Sequence, residues 1–202
     1  MIVIVDIGMG NLGSIQNMFK RIKVDALVSS DPSKIDKASK LILPGVGAFD
    51  NAILSLQERG LIDVLNQKVV KEGTPILGIC LGMQLLGRES EEGALKGLAW
   101  IDAKTVRFRM NSNGLKIPHM GWNTVEVQGS PEIFAGIDEP RFYFVHSYHL
   151  VCSTPSDVLT TTHYGYDFVS SVHHGNIWGT QFHPEKSHKF GMKLFSNFAG
   201  LG

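Results

Sequence analysis

The sequence predicts an α/β fold: a central, mostly parallel sheet flanked by helices, with additional antiparallel strands in the C-terminal half. Three observations predict it. In the first half, short apolar runs alternate with stretches of helical pattern, the arrangement of βα units whose helices cover both faces of a parallel sheet. From Trp100 onward the texture changes to runs of period two, which read as mostly antiparallel strands. The 202 residues, 43% of them apolar, suffice for one sizeable core, and residues 1–202 are read as one domain with no internal repeat or low-complexity linker.

The apolar run Ile2 to Val5 opens the chain as a strand, and Leu12 to Ile22 follows as a helix. Ala26 to Val28 and Lys40 to Leu43 are the next strands. Phe49 to Val70 reads as a long helix, Pro75 to Ile79 as a strand, and Met83 onward as a helix. The period-two runs are Ala103 to Phe108, Asn123 to Val127, Phe142 to Leu150, Val158 to Thr162, Phe168 to Val172 and Asn176 to Phe182. A last helix, Lys189 to Phe198, carries Phe190, Leu194, Phe195 and Phe198 at a spacing that closes one face of the sheet.

Lys+Arg and Asp+Glu number 19 each, so there is no basic field to gather nucleic acid and no acidic tail. The two cysteines, Cys80 and Cys152, make no disulfide framework, and no signal peptide, transit peptide or transmembrane run precedes the first strand. A reducing cytoplasm is expected, with no membrane partner.

Cys80 is the most informative residue. It sits in Gly78-Ile79-Cys80-Leu81-Gly82-Met83-Gln84, between an apolar strand and helix-favouring residues. A side chain displayed on so tight a strand-to-helix turn takes a strained backbone and needs small neighbours at minus two and plus two, which Gly78 and Gly82 supply. The turn aims the sulfur at the start of the following helix, whose free N–H groups favour the thiolate, the form that attacks carbonyl carbon.

A cysteine nucleophile needs a histidine to handle its proton and a carboxylate to orient that histidine. His183-Pro184-Glu185 supplies both, just past the strand that ends at Phe182. Pro44-Gly45-Val46-Gly47 ends the strand from Lys40 on the same functional edge. The N–H groups of Val46 and Gly47, with that of Leu81 after the nucleophile, are the expected oxyanion hole. The two glycines let this segment rest with its N–H groups turned away, a gate that a partner could set. A His-x-Glu also occurs in zinc deaminases, but that site needs a downstream Pro-Cys-x-x-Cys and no cysteine follows Cys152. His173-His174 lacks companions at ligand spacing, so no metal is expected.

Together with these motifs, Pro118-His119-Met120-Gly121-Trp122-Asn123, Phe144-Val145-His146-Ser147-Tyr148 and Gln181-Phe182-His183-Pro184-Glu185-Lys186-Ser187 make the chain resemble the class I (triad) glutamine amidotransferases, from Ile2 to the last helix. Within that class it resembles the glutaminase subunits of imidazole glycerol phosphate synthases. The resemblance implies that Cys80 attacks the amide of L-glutamine, that His183 protonates departing ammonia and that Glu185 orients His183, with no cofactor. It implies contacts to glutamine from Gln84, Glu92, His146, Ser147 and Tyr148. It also implies a heterodimer with a (β/α)8 cyclase subunit of histidine biosynthesis, reached by the ammonia past Asn11, Trp122, Tyr143 and Lys186. Relatives usually carry Tyr at the position of Ile7 and Phe at that of Gly87, where partner contact or local rigidity could differ.

Two other readings compete. A paralogous subunit feeding ammonia to the amination of a surface-polysaccharide sugar would keep every glutaminase residue. Separately, Gly8-Met9-Gly10-Asn11-Leu12-Gly13 is a G-x-G-x-x-G after a strand, with Asp31 after the second strand, the fingerprint of an NAD-binding module.

Overall fold

The structure is a computed structural model that describes residues 1–109 and 115–202. Its first half is a run of βα units: β1 (Ile2–Val5), α1 (Leu12–Arg21), β2 (Ala26–Ser29), α2 (Pro32–Asp36), β3 (Lys40–Gly45), α3 (Phe49–Glu58), α4 (Leu61–Asn66), β4 (Ile76–Cys80) and α5 (Leu81–Leu85). There follow β5 (Glu89–Ser90), β6 (Ala103–Arg107), β7 (His119–Thr124), β8 (Glu126–Val127), β9 (Arg141–His146), β10 (Tyr148–Cys152), β11 (Val158–His163), β12 (Asp167–His174), β13 (Ile177–Thr180) and α6 (His188–Gly200).

The large sheet runs β2-β1-β3-β4-β13-β12-β10-β6-β5, with β11 beside β12 and β8 beside β11. The strands from β2 to β13 pair in parallel. β13 is where the two textures meet, since it is antiparallel to β12 but parallel to β4. The register Gly179 to Gly78 and Thr180 to Ile79 brings their carboxyl ends level. The chain leaving β13 therefore emerges beside the chain leaving β4.

Both faces of the sheet are covered because its parallel strands are apolar on both sides. Leu43, Phe49, Leu56, Leu61 and Leu65 pack on one face, and Phe19, Phe142, Phe144, Phe182, Phe195 and Phe198 on the other. Phe19, Phe195 and Phe198 are fully buried, each worth on the order of 2 kcal/mol relative to an exposed side chain. Ile15, Met18 and Phe19 give α1 its buried stripe.

Several expected elements divide. The helix expected over Phe49 to Val70 breaks at Gly60, whose φ of +64° turns the chain between α3 and α4, and it ends in a π-helical stretch, Gln67–Lys71. The run Phe142 to Leu150 is two strands separated at Ser147: β9 pairs with β7 in a sheet of two, whereas β10 lies in the large sheet. Asn123 to Val127 likewise spans the end of β7 and the short β8. The helix from Met83 stops at Leu85. Gly87 then packs so close to β6 that a Cβ there would lie 2.9 Å from the Ala103 carbonyl oxygen. α2 was signalled only by Asp31-Pro32: the proline stands in its first turn and the Asp31 side chain accepts from Ser33 N at 2.9 Å.

Candidate active site

Cys80 ends β4 at φ +55° and ψ −111°, a conformation that costs a non-glycine residue roughly 1–3 kcal/mol. Its neighbours explain how the turn closes. A Cβ on Gly78 would lie 2.7 Å from the Gly82 carbonyl oxygen, and one on Gly82 would drive into the carbonyl oxygen of Leu43 on β3. No side chain larger than hydrogen fits at either position. Gly45, opposite Cys80 in the register, is close but less tight: a Cβ there would meet Leu81 Cβ at 3.0 Å and Gly82 N at 3.1 Å.

His183 lies three residues beyond β13, pinned by its own N–H to the Tyr143 carbonyl at 2.9 Å and by its carbonyl to Ser187 Oγ at 2.6 Å. Its Nδ1 is 2.8 Å from Glu185 Oε1, and both side chains are 1% exposed. The carboxylate accepts, so Nδ1 carries hydrogen and Nε2 is the free ring nitrogen. Burial alone would push His183 down, but the Cys80 sulfur and Glu185 beside it outweigh that and raise it to about 10. Burial would raise Glu185, yet hydrogen bonds and charge from His183, with a further bond from Asn11, hold it below the usual carboxylate value.

Cys80 and His183 line one cavity of about 340 Å³ with Val46, Gly47, Leu81, Gln84, Glu92, Pro118, Val145, His146, Ser147 and Tyr148. Cys80 and His183, the three oxyanion-hole candidates and all five glutamine-contact candidates thus share a single space, with Glu185 behind His183. Gly47 has φ +100° and nothing within 4 Å of where a Cβ would stand, so of the two glycines in the gate only Gly47 is unencumbered. Glu92 Oε2 accepts from Phe49 N at 2.9 Å, while Asp50 accepts from Ala94 N and Leu95 N at 3.0 Å each. These bonds staple the Glu92 loop to the helix that follows the oxyanion segment.

The remaining wall is held by a polar chain that joins the expected His146 and Tyr148 to His119 and Asn123, whose part in it sequence reasoning missed. His146 Nδ1 donates to the Tyr148 carbonyl at 2.7 Å, His119 Nδ1 meets His146 Nε2 at 3.0 Å, and Asn123 Nδ2 reaches His119 Nε2 at 3.2 Å. Burial pushes His119 down to about 4 and His146 well below its ordinary value, so both rings stay neutral. Gln84 Nε2 donates to the same Tyr148 carbonyl at 3.3 Å and to Gln181 Oε1 at 3.0 Å. Gln181 was the other omission. Its local signal was its place two positions before His183, and so in phase with it along an extended chain.

Asn11, expected at the partner face, donates its side-chain amide to Glu185 Oε1 at 3.1 Å. Trp122, Tyr143 and Lys186 do come together: Trp122 packs edge-on to Tyr143 and stacks on His188 at 5.5 Å, and Lys186 Nζ lies 5.5 Å from the Tyr143 ring centre. Trp122 is 42% and neighbouring Met120 62% exposed. Ile7 and Gly87, by contrast, face inward. Ile7 is fully buried and Gly87 is packed against β6, so neither offers a surface to a partner.

The glycine-rich turn departs from the dinucleotide fingerprint. A Cβ on Gly8 would meet the end of the Arg59 side chain, Nη2 at 2.7 Å, and one on Gly10 would make ordinary contact with the Pro44 ring at 3.4 Å. Gly13, which should allow close helix packing, has open space around it. Asp31 is spent capping α2. His173 stacks on Trp178 at 3.5 Å and His174 pairs with Asp157 at 3.0 Å. Among the described residues no cluster of His, Cys, Asp or Glu is placed to hold a metal, and no helix is long and apolar enough to cross a membrane. Cys152 is half-buried; burial, with Asp157 and Asp102 nearby, pushes its thiol up to about 12.

The family model of class-I glutamine amidotransferases matches residues 3–200. The imidazole glycerol phosphate synthase subunit HisH 2 of Methanococcus maripaludis is 58% identical over 98% of both chains. The subunit of the same name from Pseudomonas aeruginosa is 51% identical over 100% of both. A solved glutamine amidotransferase, 22% identical, superimposes with a TM-score of 0.74 over 98% of this chain and 99% of its own, which speaks for the fold. A strained cysteine between two obligatory glycines, a buried His–Glu pair at the level end of the next strand and a match along nearly the whole chain agree: the chain belongs to the class I glutamine amidotransferases.

Proposed function

We propose that the chain is the glutaminase subunit of an imidazole glycerol phosphate synthase, releasing ammonia from glutamine for a (β/α)8 cyclase subunit with which it forms a heterodimer. Support comes from relatives bearing that synthase subunit's name at 58% and 51% identity over the whole chain. The observation that carries the chemistry is Cys80, held at φ +55° in the cavity that His183 also lines.

The sulfur of Cys80 attacks the side-chain carbonyl carbon of glutamine, and the carbonyl electron pair moves to oxygen, where N–H groups of Val46, Gly47 and Leu81 receive the charge. Collapse of the tetrahedral adduct breaks the carbon–nitrogen bond, and His183 Nε2 delivers its proton to the departing ammonia. A thioester to Cys80 remains. His183 then takes a proton from water, the hydroxide carbon–oxygen bond forms, and glutamate leaves as the sulfur regains its electrons. Glu185 holds Nδ1–H throughout, fixing the tautomer. Gln84, with both amide hydrogens engaged by Tyr148 and Gln181, offers glutamine its Oε1, an acceptor for an ammonium or amide N–H, while Glu92, His146, Ser147 and Tyr148 complete the pocket.

Exposed Met120 and Trp122 on β7, with Tyr143 on β9 and Lys186 in the turn after His183, offer apolar and cationic groups suited to the cyclase and to ammonia exit. Growth without histidine tests the assignment. A strain lacking its own histidine-pathway glutaminase subunit, at low ammonia, grows when given this chain with its cognate barrel subunit. Absence of growth with a soluble, glutaminase-competent chain would contradict the proposed acceptor.

A further inference from the structure

One backbone carbonyl fixes the direction of every hydrogen in the wall of the site. Tyr148 O can only accept. It receives His146 Nδ1–H on one side and Gln84 Nε2–H on the other, so the Gln84 amide is oriented with nitrogen toward Tyr148. The same nitrogen donates its second hydrogen to Gln181, whose oxygen must therefore face Gln84 at 3.0 Å. The Gln181 nitrogen is then left pointing the other way, 3.6 Å from Cys80 Sγ. Flipping either amide would set two NH2 groups, or two oxygens, against each other.

Gln181 is fully buried and Gln84 is 4% exposed, so neither orientation is negotiable with solvent. Among the described residues the other hydrogen-bond partner of Sγ is the Val145 carbonyl at 4.0 Å, an acceptor that resists negative charge on sulfur. The titratable groups sharing the cavity with Sγ are His183, His146, Glu92 and Tyr148, with Glu185 behind His183.

We propose that Gln181 is a further catalytic residue, donating its Nε2–H to the Cys80 sulfur and holding that sulfur for attack and again as the thioester breaks. A neutral donor on a buried sulfur stabilises negative charge there in both steps without adding a charge of its own. Gln181 does not line the cavity, and it reaches glutamine binding only through its oxygen, which accepts from Gln84 Nε2. This inference rests on the reading of Cys80 as the nucleophile.

Gln181→Met keeps the length and removes the donor; Gln181→Glu keeps the shape and sets an acceptor against the sulfur. In the assembled synthase, kcat for glutamine hydrolysis falls roughly tenfold to a hundredfold in Gln181→Met and further in Gln181→Glu, with KM changed by no more than about twofold in Gln181→Glu, which still accepts from Gln84, and raised further in Gln181→Met, which does not. The rate of Cys80 alkylation by iodoacetamide, followed by peptide mass, moves to higher pH in both, which a purely structural loss does not produce. Parent-like alkylation and kcat in either folded variant overturn the proposal. Should neither fold, proteins with Gln181 intact decide: the side-chain amide protons of Gln181 shift between the parent and Cys80→Ala, and signals indifferent to that replacement overturn the proposal. The nucleophile reading fails separately, if Cys80→Ala still hydrolyses glutamine.

Discussion

Asn11 stands at the N-cap of α1, yet its side-chain amide donates to Glu185 Oε1 at 3.1 Å and makes no bond to its own helix. An asparagine at that position ordinarily caps. Here it joins the first βα turn to the carboxylate that orients His183. Asn11→Ala is therefore expected to leave helix stability within about 0.5 kcal/mol while lowering glutaminase kcat roughly threefold to tenfold. Thermal melts beside steady-state rates check the split, and a loss confined to stability would contradict it.

The elbow admits no added carbon. Gly82→Ala drives its Cβ into the Leu43 carbonyl oxygen, and Gly78→Ala presses on Gly82 O, so each is expected to cost about 3 kcal/mol or more and to abolish glutamine hydrolysis. Chemical denaturation measures the first effect. Wild-type stability in either variant would mean that the turn is looser than its geometry states.

Gly47→Ala tests the gate. At φ +100° an alanine is strained, although space surrounds it, so the loop shifts to another backbone conformation. The isolated parent chain is expected to be a poor glutaminase that its partner activates strongly. Gly47→Ala is expected to blunt that activation at least about tenfold while binding the partner normally. Full activity of the isolated parent would refute partner gating.

The βα half of the fold was legible because its strands are unbroken apolar runs and its helices periodic. The misread joints have physical causes that pattern does not carry. Gly60 breaks α3 from α4 through its φ, and Ser147 divides one period-two run between two sheets. At the site, Cys80, His183 and Glu185 could be read from local spacing, because each stands in a turn at a strand's end. The contacts of Gln181 and His119 could not. Their partners are 97 and 27 positions away, and only the pairing of β13 with β4 and of β7 with β9 brings them into contact. Which way Ile7 and Gly87 face was not legible for a related reason: a departure in a βα turn or past the elbow does not carry the direction of the residue.

Acid should unfold the protein through its buried histidines. His119 is held down at about 4, and His146 and His149 are also lowered by burial, so the unfolded chain binds protons that the folded chain refuses. Stability is full above the ordinary histidine value of about 6.5 and falls as pH drops toward 4, by up to about 1.4 kcal/mol per pH unit for each group. Denaturant midpoints between pH 7 and 4 measure the slope. His119→Gln, which keeps a donor toward His146, should lower the slope by one histidine's share.

His183 works in the opposite direction. Its raised value means the imidazolium persists below about 10, so its stabilising contribution is complete below about 6.5 and is lost as pH climbs through about 10. Glu185→Gln removes the charge that helps hold the proton. The alkaline limb of the glutaminase profile should move to lower pH, with kcat reduced less than in His183→Asn, which should lose about a thousandfold or more. Equal losses in the two variants would remove the orienting role from Glu185.

The most direct measurement is covalent. A glutamine-derived diazoketone, incubated with the assembled synthase and read by peptide mass, should label Cys80 alone, with excess glutamine protecting it. Cys152, its thiol pushed up to about 12 by burial and nearby carboxylates, should stay unmodified. An unlabelled Cys80, or labelling of Cys152 at a comparable rate, would contradict the assignment of Cys80 as the nucleophile.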